Sequence, residues 1–485
     1  MNDNTRATKA DKLDGEHFDV VVIGAGMSGL AAGIRLAYFG KKTLVIERHY
    51  AIGGLNGFYV KNKRKYDVGL HAMTNFVPEG TKNSPLSKIL RQLRIRREEL
   101  DLCPQICSEI HAFGNKIRFD NDFELLESEI EKAFPQQIDG FRKLDEFLRG
   151  FNETALDSAD VSAREHVAKF ISDPLLIDTL FIPLSFYGSS RQRDMSLPLF
   201  AIMWRSIFRE GLARPHAGVR QIANLLRKKL QEAGAVLRLN CGVKKILTTN
   251  RTATGVELDN GARIVADKII SSAGLVETMR LCENVACDYG AENVGRITFC
   301  ETITQFAAEP ATDFGWGQTI VFFNDAERFN YAEPAGLIDP RSGAICIPNN
   351  YRWRQRELAP QEGCLRVTCL ANHALWKAAR GNNEEYARAK SLAYKKMLDT
   401  ALSHLPPVSD NKLRSAIVAT DMFTPATIER FTGKLGGAIY GSPEKIRTGT
   451  LPVKNLFICG TDQGFHGITG AMLSGISMAN LHLLP

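Results

Sequence analysis

Residues 18–29 read FDVVVIGAGMSG, and the rest of the chain can be interpreted outward from them. The first half is an apolar, β-branched run, which is typical of a strand buried on both faces of a parallel sheet. The second half, Gly24-Ala25-Gly26-Met27-Ser28-Gly29, fits the spacing GxGxxG, and an apolar, alanine-rich segment follows it. The sequence therefore predicts a strand, a tight glycine turn and a helix in direct succession.

A second strand and an acidic residue complete this unit. Residues 43–46 form another short apolar run, and Glu47 follows it, eighteen residues after Gly29. Glycines let the backbone approach a pyrophosphate, the helix presents free amide groups to it, and the acid accepts ribose hydroxyls. The pattern predicts a dinucleotide site, and the acid disfavours a 2′-phosphate, which would require an Arg there.

Composition narrows the class of protein. A length of 485 residues predicts two to four packing units, and 44% hydrophobic with 24% charged residues is typical of a globular chain. The net charge of +7 would suit an anionic membrane surface, and no nucleic-acid motif accompanies it. Ten cysteines without CxxC pairs predict a reducing, cytoplasmic setting and no metal site. Residues 1–16 are polar and are interpreted as a flexible tail.

The segment after Glu47 carries a family resemblance. Residues 47–55, ERHYAIGGL, resemble the acid and Gly-Gly signature of flavoproteins of the amine oxidase and phytoene desaturase superfamily. The resemblance implies FAD as the cofactor. It also implies cofactor contacts from Glu47 and from the residues that follow it, Arg48, Gly53, Gly54 and Leu55. Residues 65–71, KYDVGLH, are similar to the next family segment, which leads towards the isoalloxazine and makes His71 a candidate acid or base.

Two distant segments resemble the same superfamily. Residues 218–232 predict a helix that feeds a hairpin of strands at 235–239 and 243–247, and Val243 resembles the position whose backbone pairs with adenine. Near the chain's end, a strand at 456–459 precedes a turn and a glycine-spaced helix. The resemblance implies that Asp462 of this turn binds the ribitol and that the helix start faces the flavin. The cofactor residues implied here are Gly460, Asp462, Gly467, Ile468 and Thr469.

The predicted fold class is α/β, with a discontinuous Rossmann-like FAD-binding domain built from residues 17–75, 213–290 and 450–485. A mixed α+β substrate domain and a helical region would come from residues 76–212 and 291–449. Within it, residues 173–208 are apolar and aromatic. They predict either a greasy channel or membrane-dipping helices, or else an ordinary buried core.

Within the superfamily, the arrangement is most similar to the carotenoid and retinoid branch, which includes phytoene desaturases, carotenoid isomerases and retinol saturases. The resemblance implies an FAD-dependent oxidoreductase acting on a long isoprenoid or polyene lipid. Hydride would pass from an allylic carbon to flavin N5 with loss of a neighbouring proton; the reverse reaction and cis-trans isomerisation stay open. Basic clusters at 61–65 and at Arg91, Arg94, Arg96 and Arg97 predict peripheral contact with a membrane surface.

Three other functions stay open at this point. A flavin amine oxidase with a small polar substrate would share the cofactor motifs. A non-enzymatic isoprenoid-binding carrier would resemble the GDP dissociation inhibitors, although the intact glycine loop and the two acids, Glu47 and Asp462, argue against it. A plain NAD dehydrogenase would leave the C-terminal segment unexplained.

Overall fold

The computed structural model of the protein describes residues 13–69, 71–152, 155, 159–283, 289–354 and 360–484. These residues form eighteen strands: β1 (His17–Ile23), β2 (Thr43–Ile46), β3 (Phe58–Lys61), β4 (Arg64–Asp67), β5 (Leu102–Pro104), β6 (Ser108–Ala112), β7 (Asn115–Phe119), β8 (Ala213–Pro215), β9 (Val236–Arg238), β10 (Val243–Thr249), β11 (Thr252–Leu258), β12 (Arg263–Ser271), β13 (Phe299–Phe306), β14 (Ile320–Asn324), β15 (Ile338–Cys346), β16 (Gly363–Ala371), β17 (Ile417–Phe423) and β18 (Leu456–Ile458).

The same residues form sixteen α-helices: α1 (Met27–Tyr38), α2 (Pro85–Gln92), α3 (Arg97–Leu100), α4 (Phe123–Ala133), α5 (Ile138–Gly150), α6 (Ala163–Val167), α7 (Pro174–Gly188), α8 (Leu197–Trp204), α9 (Val219–Glu232), α10 (Leu275–Arg280), α11 (Pro310–Asp313), α12 (His373–Ala379), α13 (Asn383–Ser403), α14 (Asp410–Ala416), α15 (Pro425–Thr432) and α16 (Gly467–Met478).

The first sheet holds the predicted nucleotide-binding unit. Its strand order is β10-β11-β12-β1-β2-β9, with β18 also paired to β12. The pairs β1·β2, β1·β12, β2·β9 and β12·β18 are parallel, so their carboxyl ends meet at one edge. Helix α16 packs closely against α1. Only a glycine fits at position 475, since a Cβ there would lie 2.0 Å from the Ser28 carbonyl oxygen.

The predicted hairpin after α9 is wrong. Strand β9 joins the parallel sheet beside β2, whereas β10 pairs antiparallel with β11. The apolar runs were located correctly, but two short strands in succession do not reveal whether they pair with each other or with an earlier strand. Because β9 pairs in parallel with β2, it extends the first sheet beyond the strand that Glu47 follows.

The second sheet is built from segments outside the nucleotide-binding unit and forms a separate layer of the protein. Its order is β17-β13-β16-β15-β14-β6-β7, with every pair antiparallel except β14·β6. The hairpin β3·β4 and the pair β5·β8 are separate two-stranded units. The structure is thus the α/β fold with a mixed second layer that the sequence predicts.

The apolar helical region lies inside the protein. Leu180, Phe181 and Ile182 of α7 and Phe200 of α8 are fully buried in a core that also contains α4 and α5. Of the interpretations of residues 173–208, the buried core is correct and the membrane-dipping helices are not, while Phe186 and Tyr187 at the end of α7 line an apolar cavity, as the channel interpretation predicts. No helix within the described ranges has both the length and the apolar composition needed to cross a bilayer.

Two predicted boundaries need correction. The tail prediction extends too far, because Leu13 is only 2% exposed and packs into the core beneath the first sheet; residues 1–12 lie outside the described ranges. The segment 85–104 was assigned to the substrate region, yet α2 packs on α16, and α3 packs on α9. Apolar residues in a short helix do not reveal which of two cores they join.

Candidate cofactor and substrate site

Three neighbouring cavities, which share lining residues, lie where the two sheets approach each other. The nucleotide cavity, of about 350 Å3, opens at the carboxyl ends of β1 and β2. The inner cavity, of about 170 Å3, lies between the start of α16 and the second sheet. The outer cavity, of about 390 Å3, lies between β3 and α15. Leu55 lines all three, so the predicted Gly-Gly loop is their junction.

Eleven of the predicted cofactor residues line the nucleotide cavity: Gly24, Gly26, Met27, Ser28, Glu47, Arg48, Gly53, Gly54, Leu55, Val243 and Gly460. They come from strand ends, a helix start and loops more than 400 residues apart in the chain. The sheet brings them to one edge. Their roles toward FAD remain a prediction that this placement supports.

The glycine turn fits an incoming pyrophosphate. Gly24 has φ +94°, and a Cβ there would lie 2.5 Å from Ser272 Oγ. A Cβ at Gly29 would lie 2.0 Å from the Gly24 carbonyl oxygen, so this glycine serves the close packing of helix on turn. A Cβ at Gly26 would meet no protein atom within 4 Å and would occupy cavity space in front of α1. Bare backbone and the positive end of a helix therefore face the place where a phosphate would bind.

Glu47 is held in position by two backbone amides. Its Oε2 accepts a hydrogen bond from the Ala25 amide at 2.9 Å, and its Oε1 accepts one from the His49 amide at 2.9 Å. A carboxylate has about four lone-pair sites, so acceptor capacity remains for ribose hydroxyls. The residue thus ties the glycine turn to β2 and still fits the predicted contact with ribose.

Asp462 does not line the nucleotide cavity, so this placement gives no support to its predicted contact with ribitol, which stays a prediction. Its Oδ1 accepts from the Ser442 amide at 2.8 Å and its Oδ2 from the Leu275 amide at 2.6 Å. Burial works to raise its pKa, but Lys434, Lys445 and these amides together lower it. The carboxylate is a buried structural anchor, a role that an acid after a strand does not disclose from sequence.

The nucleotide cavity contains residues that sequence reasoning missed. Lys434 lines it, and its Nζ lies 3.5 Å from Asp462 Oδ2 and 3.8 Å from Glu277 Oε1. Burial works to lower the Lys434 pKa, but the two carboxylates raise it, so the side chain is a cation. Ser272 and Thr461 also line the cavity. No recognisable motif surrounds Lys434 in the sequence. The fold brings it beside Asp462, which is 28 residues further along the chain.

The amino end of α16 faces the inner cavity. Gly467 and Ile468 line it, as predicted for residues near the flavin. Thr469 is fully buried and donates from Oγ1 to the Thr74 carbonyl oxygen at 3.2 Å, so its side chain does not line any of the three cavities. A helix start with a positive dipole end stabilises negative charge nearby.

His71 also lines the inner cavity, beside Glu301. Its Nε2 lies 3.0 Å from Thr368 Oγ1 and 3.6 Å from Glu301 Oε2. Its carbonyl oxygen accepts from the Tyr351 hydroxyl at 2.8 Å, which fixes the backbone. The preceding Leu70 lies outside the described residues. The second sheet thus supplies two polar partners that the sequence around His71 could not reveal.

Glu301 is part of a buried ion pair. Arg366 Nε donates to Glu301 Oε1 at 2.5 Å, and Arg366 Nη2 donates to the Asp67 carbonyl oxygen at 3.0 Å. Burial alone would raise the Glu301 pKa, but Arg366 and His71 bring it down to about 2. Arg214 in turn donates to Asp67 Oδ2 at 2.7 Å. The inner cavity therefore has an ionised, charge-matched floor.

Apart from this floor and several hydroxyl and amide side chains, the inner cavity is apolar and aromatic. Its walls include Phe186, Phe299, Phe423, Ile428 and Ile439. Such a surface binds hydrocarbon by removing it from water and offers few polar groups to orient it.

The fold and the cavities define a dinucleotide-binding flavoprotein. The family model described as flavin containing amine oxidoreductase matches residues 27–278, more than half of the chain. The chain belongs to this family and is an FAD-dependent oxidoreductase.

Individual proteins resemble the chain along nearly its whole length. Prolycopene isomerase 2, chloroplastic, from an Oncidium hybrid cultivar is 24% identical over 528 residues, covering 98% of this chain and 85% of that protein. All-trans-retinol 13,14-reductase from Danio rerio is 23% identical over 563 residues, covering 96% and 87%. A solved oxidoreductase from Methanosarcina mazei has a TM-score of 0.66 at 17% identity, covering 95% and 99%, which shows the shared fold.

Proposed function

We propose that the protein uses FAD to desaturate, saturate or isomerise a long isoprenoid or polyene lipid. The observation that carries this proposal is the apolar inner cavity, which has aromatic walls and shares apolar lining residues with the larger outer cavity. The similar proteins named as an isomerase of prolycopene and a reductase of retinol support a polyene as the substrate class. When bound, FAD supplies the two-electron acceptor or donor.

The cofactor would be held by the nucleotide cavity. Gly26 and the start of α1 would receive the pyrophosphate, and Glu47 the ribose. Gly467 and Ile468 lie where the positive end of α16 would stabilise an anionic cofactor ring. Lys434 adds a buried cation to the same cavity.

His71 is the proposed proton-handling residue of the inner cavity. Thr368 and Glu301 hold its Nε2 at the cavity wall, and the Tyr351 hydroxyl fixes its carbonyl group. Glu301 would act on His71 as a positioning residue, because its carboxylate is already paired with Arg366. An imidazole positioned at the cavity wall can serve as a general acid or base toward a bound substrate.

A small amine is a poorer substrate for this site. Glu301 is the one carboxylate among the described lining residues of the inner cavity, and Arg366 neutralises it. An ammonium group would therefore lose its hydration shell without gaining a free counter-charge. A hydrocarbon meets no such penalty there.

Peripheral contact with a membrane is also proposed, since a polyene substrate resides in lipid. The predicted patch of α2 and α3 supports this poorly. Arg94 stacks on the Tyr38 ring at 4.3 Å, Arg97 donates to the Val77 carbonyl oxygen, and burial lowers the Arg97 pKa. These two arginines make contacts within the protein, and Lys61 and Arg64 of the hairpin β3·β4 likewise pair with Asp421 and Glu362. The hairpin is preferred because its exposed Lys63 and Lys65 lie beside the outer cavity, which β3 lines.

Product analysis tests the proposed reaction. The FAD-loaded protein is incubated in detergent with a cis-carotenoid, phytoene or retinol, with the cofactor either oxidised or chemically reduced, and the lipids are separated by chromatography. We expect one polyene to be converted, and His71→Gln to lower the rate about a hundredfold at unchanged FAD content. His17→Gln, an exposed histidine at the start of β1, is the matched control. Equal rates for His71→Gln and wild type would remove His71 from the proposal.

A further inference from the structure

Three large apolar side chains surround the mouth of the outer cavity in solvent. Tyr50 and Val60 are each 62% exposed, and Phe431 is 48% exposed. All three line the outer cavity, and the His49 ring lies 4.2 Å from that of Tyr50 and 5.9 Å from that of Phe431. They come from three different segments, so folding gathers them around one opening. We call these three residues the apolar rim.

Positive charge surrounds the apolar rim. Arg48, Lys61 and Arg430 are exposed cations next in sequence to His49, Val60 and Phe431. The Arg430 guanidinium lies 5.2 Å from the Phe431 ring, and Lys390 also lines the cavity. Two acids line the outer cavity: Asp421 accepts from the Tyr59 hydroxyl at 2.6 Å and from Lys61 at 3.0 Å, and Glu47 accepts from two backbone amides. Apolar side chains encircled by cations match the interface of an anionic bilayer.

The outer cavity lies beside the inner cavity, which contains His71. Leu55, Val68, Phe423 and Ile428 line both it and the inner cavity. The wall between the two cavities is therefore made of apolar side chains, which can shift without breaking an ion pair. A polyene entering at the apolar rim would reach the inner cavity by displacing these apolar side chains and would stay out of water.

We infer that the apolar rim docks on an anionic lipid bilayer and that the outer cavity is the port through which the lipid substrate enters. This inference rests on the proposed function for its substrate and on the apolar rim for its location. The docking surface is then the apolar rim and not the patch of α2 and α3.

Vesicle flotation tests the docking surface. The FAD-loaded protein is mixed with phosphatidylglycerol–phosphatidylcholine vesicles and with pure phosphatidylcholine vesicles. The double variant Tyr50→Asp with Phe431→Asp is expected to lower partition onto anionic vesicles at least tenfold. Leu481→Asp, which changes an apolar residue of similar exposure outside the three cavities, should bind like wild type. Unchanged flavin absorbance and melting temperature show that the variants are folded.

The outcomes separate this inference from the proposed function. Equal flotation of the double variant and wild type overturns the docking surface, as does loss of binding in Arg96→Glu but not in the double variant. Conversion of polyene by wild type in detergent is measured separately. Its absence would count against the proposed function while leaving a rim-dependent flotation result intact.

Discussion

The ion pair beneath His71 gives a stability prediction with a definite size. Glu301 is 8% exposed and Arg366 is 2% exposed. The substitution Glu301→Gln keeps the shape of the side chain but removes its charge. Arg366 would then be a buried cation facing a neutral amide, with the Asp67 carbonyl oxygen 3.0 Å away.

Two estimates of the stability lost in Glu301→Gln agree. Removing one member of a buried pair costs about 3–5 kcal/mol. The Glu301 pKa falls from 4.5 to about 2 on folding, which corresponds to about 3 kcal/mol of folding free energy at neutral pH. Because the pKa is lower in the folded state, this contribution is complete above about pH 4.5 and disappears as the pH falls towards 2. Glu301→Gln should lose both the stability and that part of its acid dependence.

Guanidinium unfolding at pH 7, followed by tryptophan fluorescence, measures the loss. Trp316 and Trp376 pack in the same core as β16, which carries Arg366, so they report on this sheet. We expect the free energy of unfolding to fall by about 3 kcal/mol in Glu301→Gln. Glu384→Gln, an exposed acid at the start of α13, should change it by less than about 0.5 kcal/mol.

A second variant checks the reasoning about charge. Replacing the pair by Glu301→Leu and Arg366→Met removes both charges and should recover most of the lost stability. A loss below about 1 kcal/mol in Glu301→Gln would refute the argument. So would a double variant that is no more stable than the single one.

Three further predictions concern the nucleotide cavity and its supports. Gly26→Ala should weaken FAD binding without changing apoprotein stability, whereas Gly29→Ala should lower the melting temperature of the apoprotein, because its Cβ would lie 2.0 Å from backbone. Glu47→Ala should weaken FAD binding at least tenfold in a fluorescence titration of apoprotein, since a ribose acceptor and two amide partners are lost; unchanged affinity would contradict the assignment. Burial lowers the Lys445 pKa to about 7, below its ordinary 10.5, so stability should rise between pH 7 and 10.5 and Lys445→Met should flatten that rise.

The sequence predicted the nucleotide unit well because its signals are local. A buried strand, a glycine turn, a helix and an acid follow one another within residues 18–47, and each sets the conformation of its neighbours. The helix at Gly467 was found for the same reason. The resulting placement of these residues at one sheet edge follows from the parallel order of the strands.

What the sequence could not predict depends on contacts between distant segments. His71 and Glu301 are 230 residues apart, and only the second sheet brings them to the same cavity. The family resemblance implies a cofactor contact for Asp462, but two lysines and two backbone amides from distant segments surround its carboxylate. The apolar sequence of α7 does not show whether the helix faces the protein core or a lipid bilayer, because both environments favour the same side chains.

An anaerobic flavin titration tests the central claim most directly. Oxidised protein is mixed in separate cuvettes with phytoene, a cis-carotenoid, retinol and simple amines, and the series is repeated after the flavin has been reduced. The account predicts that a polyene bleaches the oxidised flavin, reoxidises the reduced one, or is isomerised in the reduced sample, while the amines leave the flavin spectrum unchanged. Bleaching by amines, with every polyene recovered unaltered from both series, would contradict it.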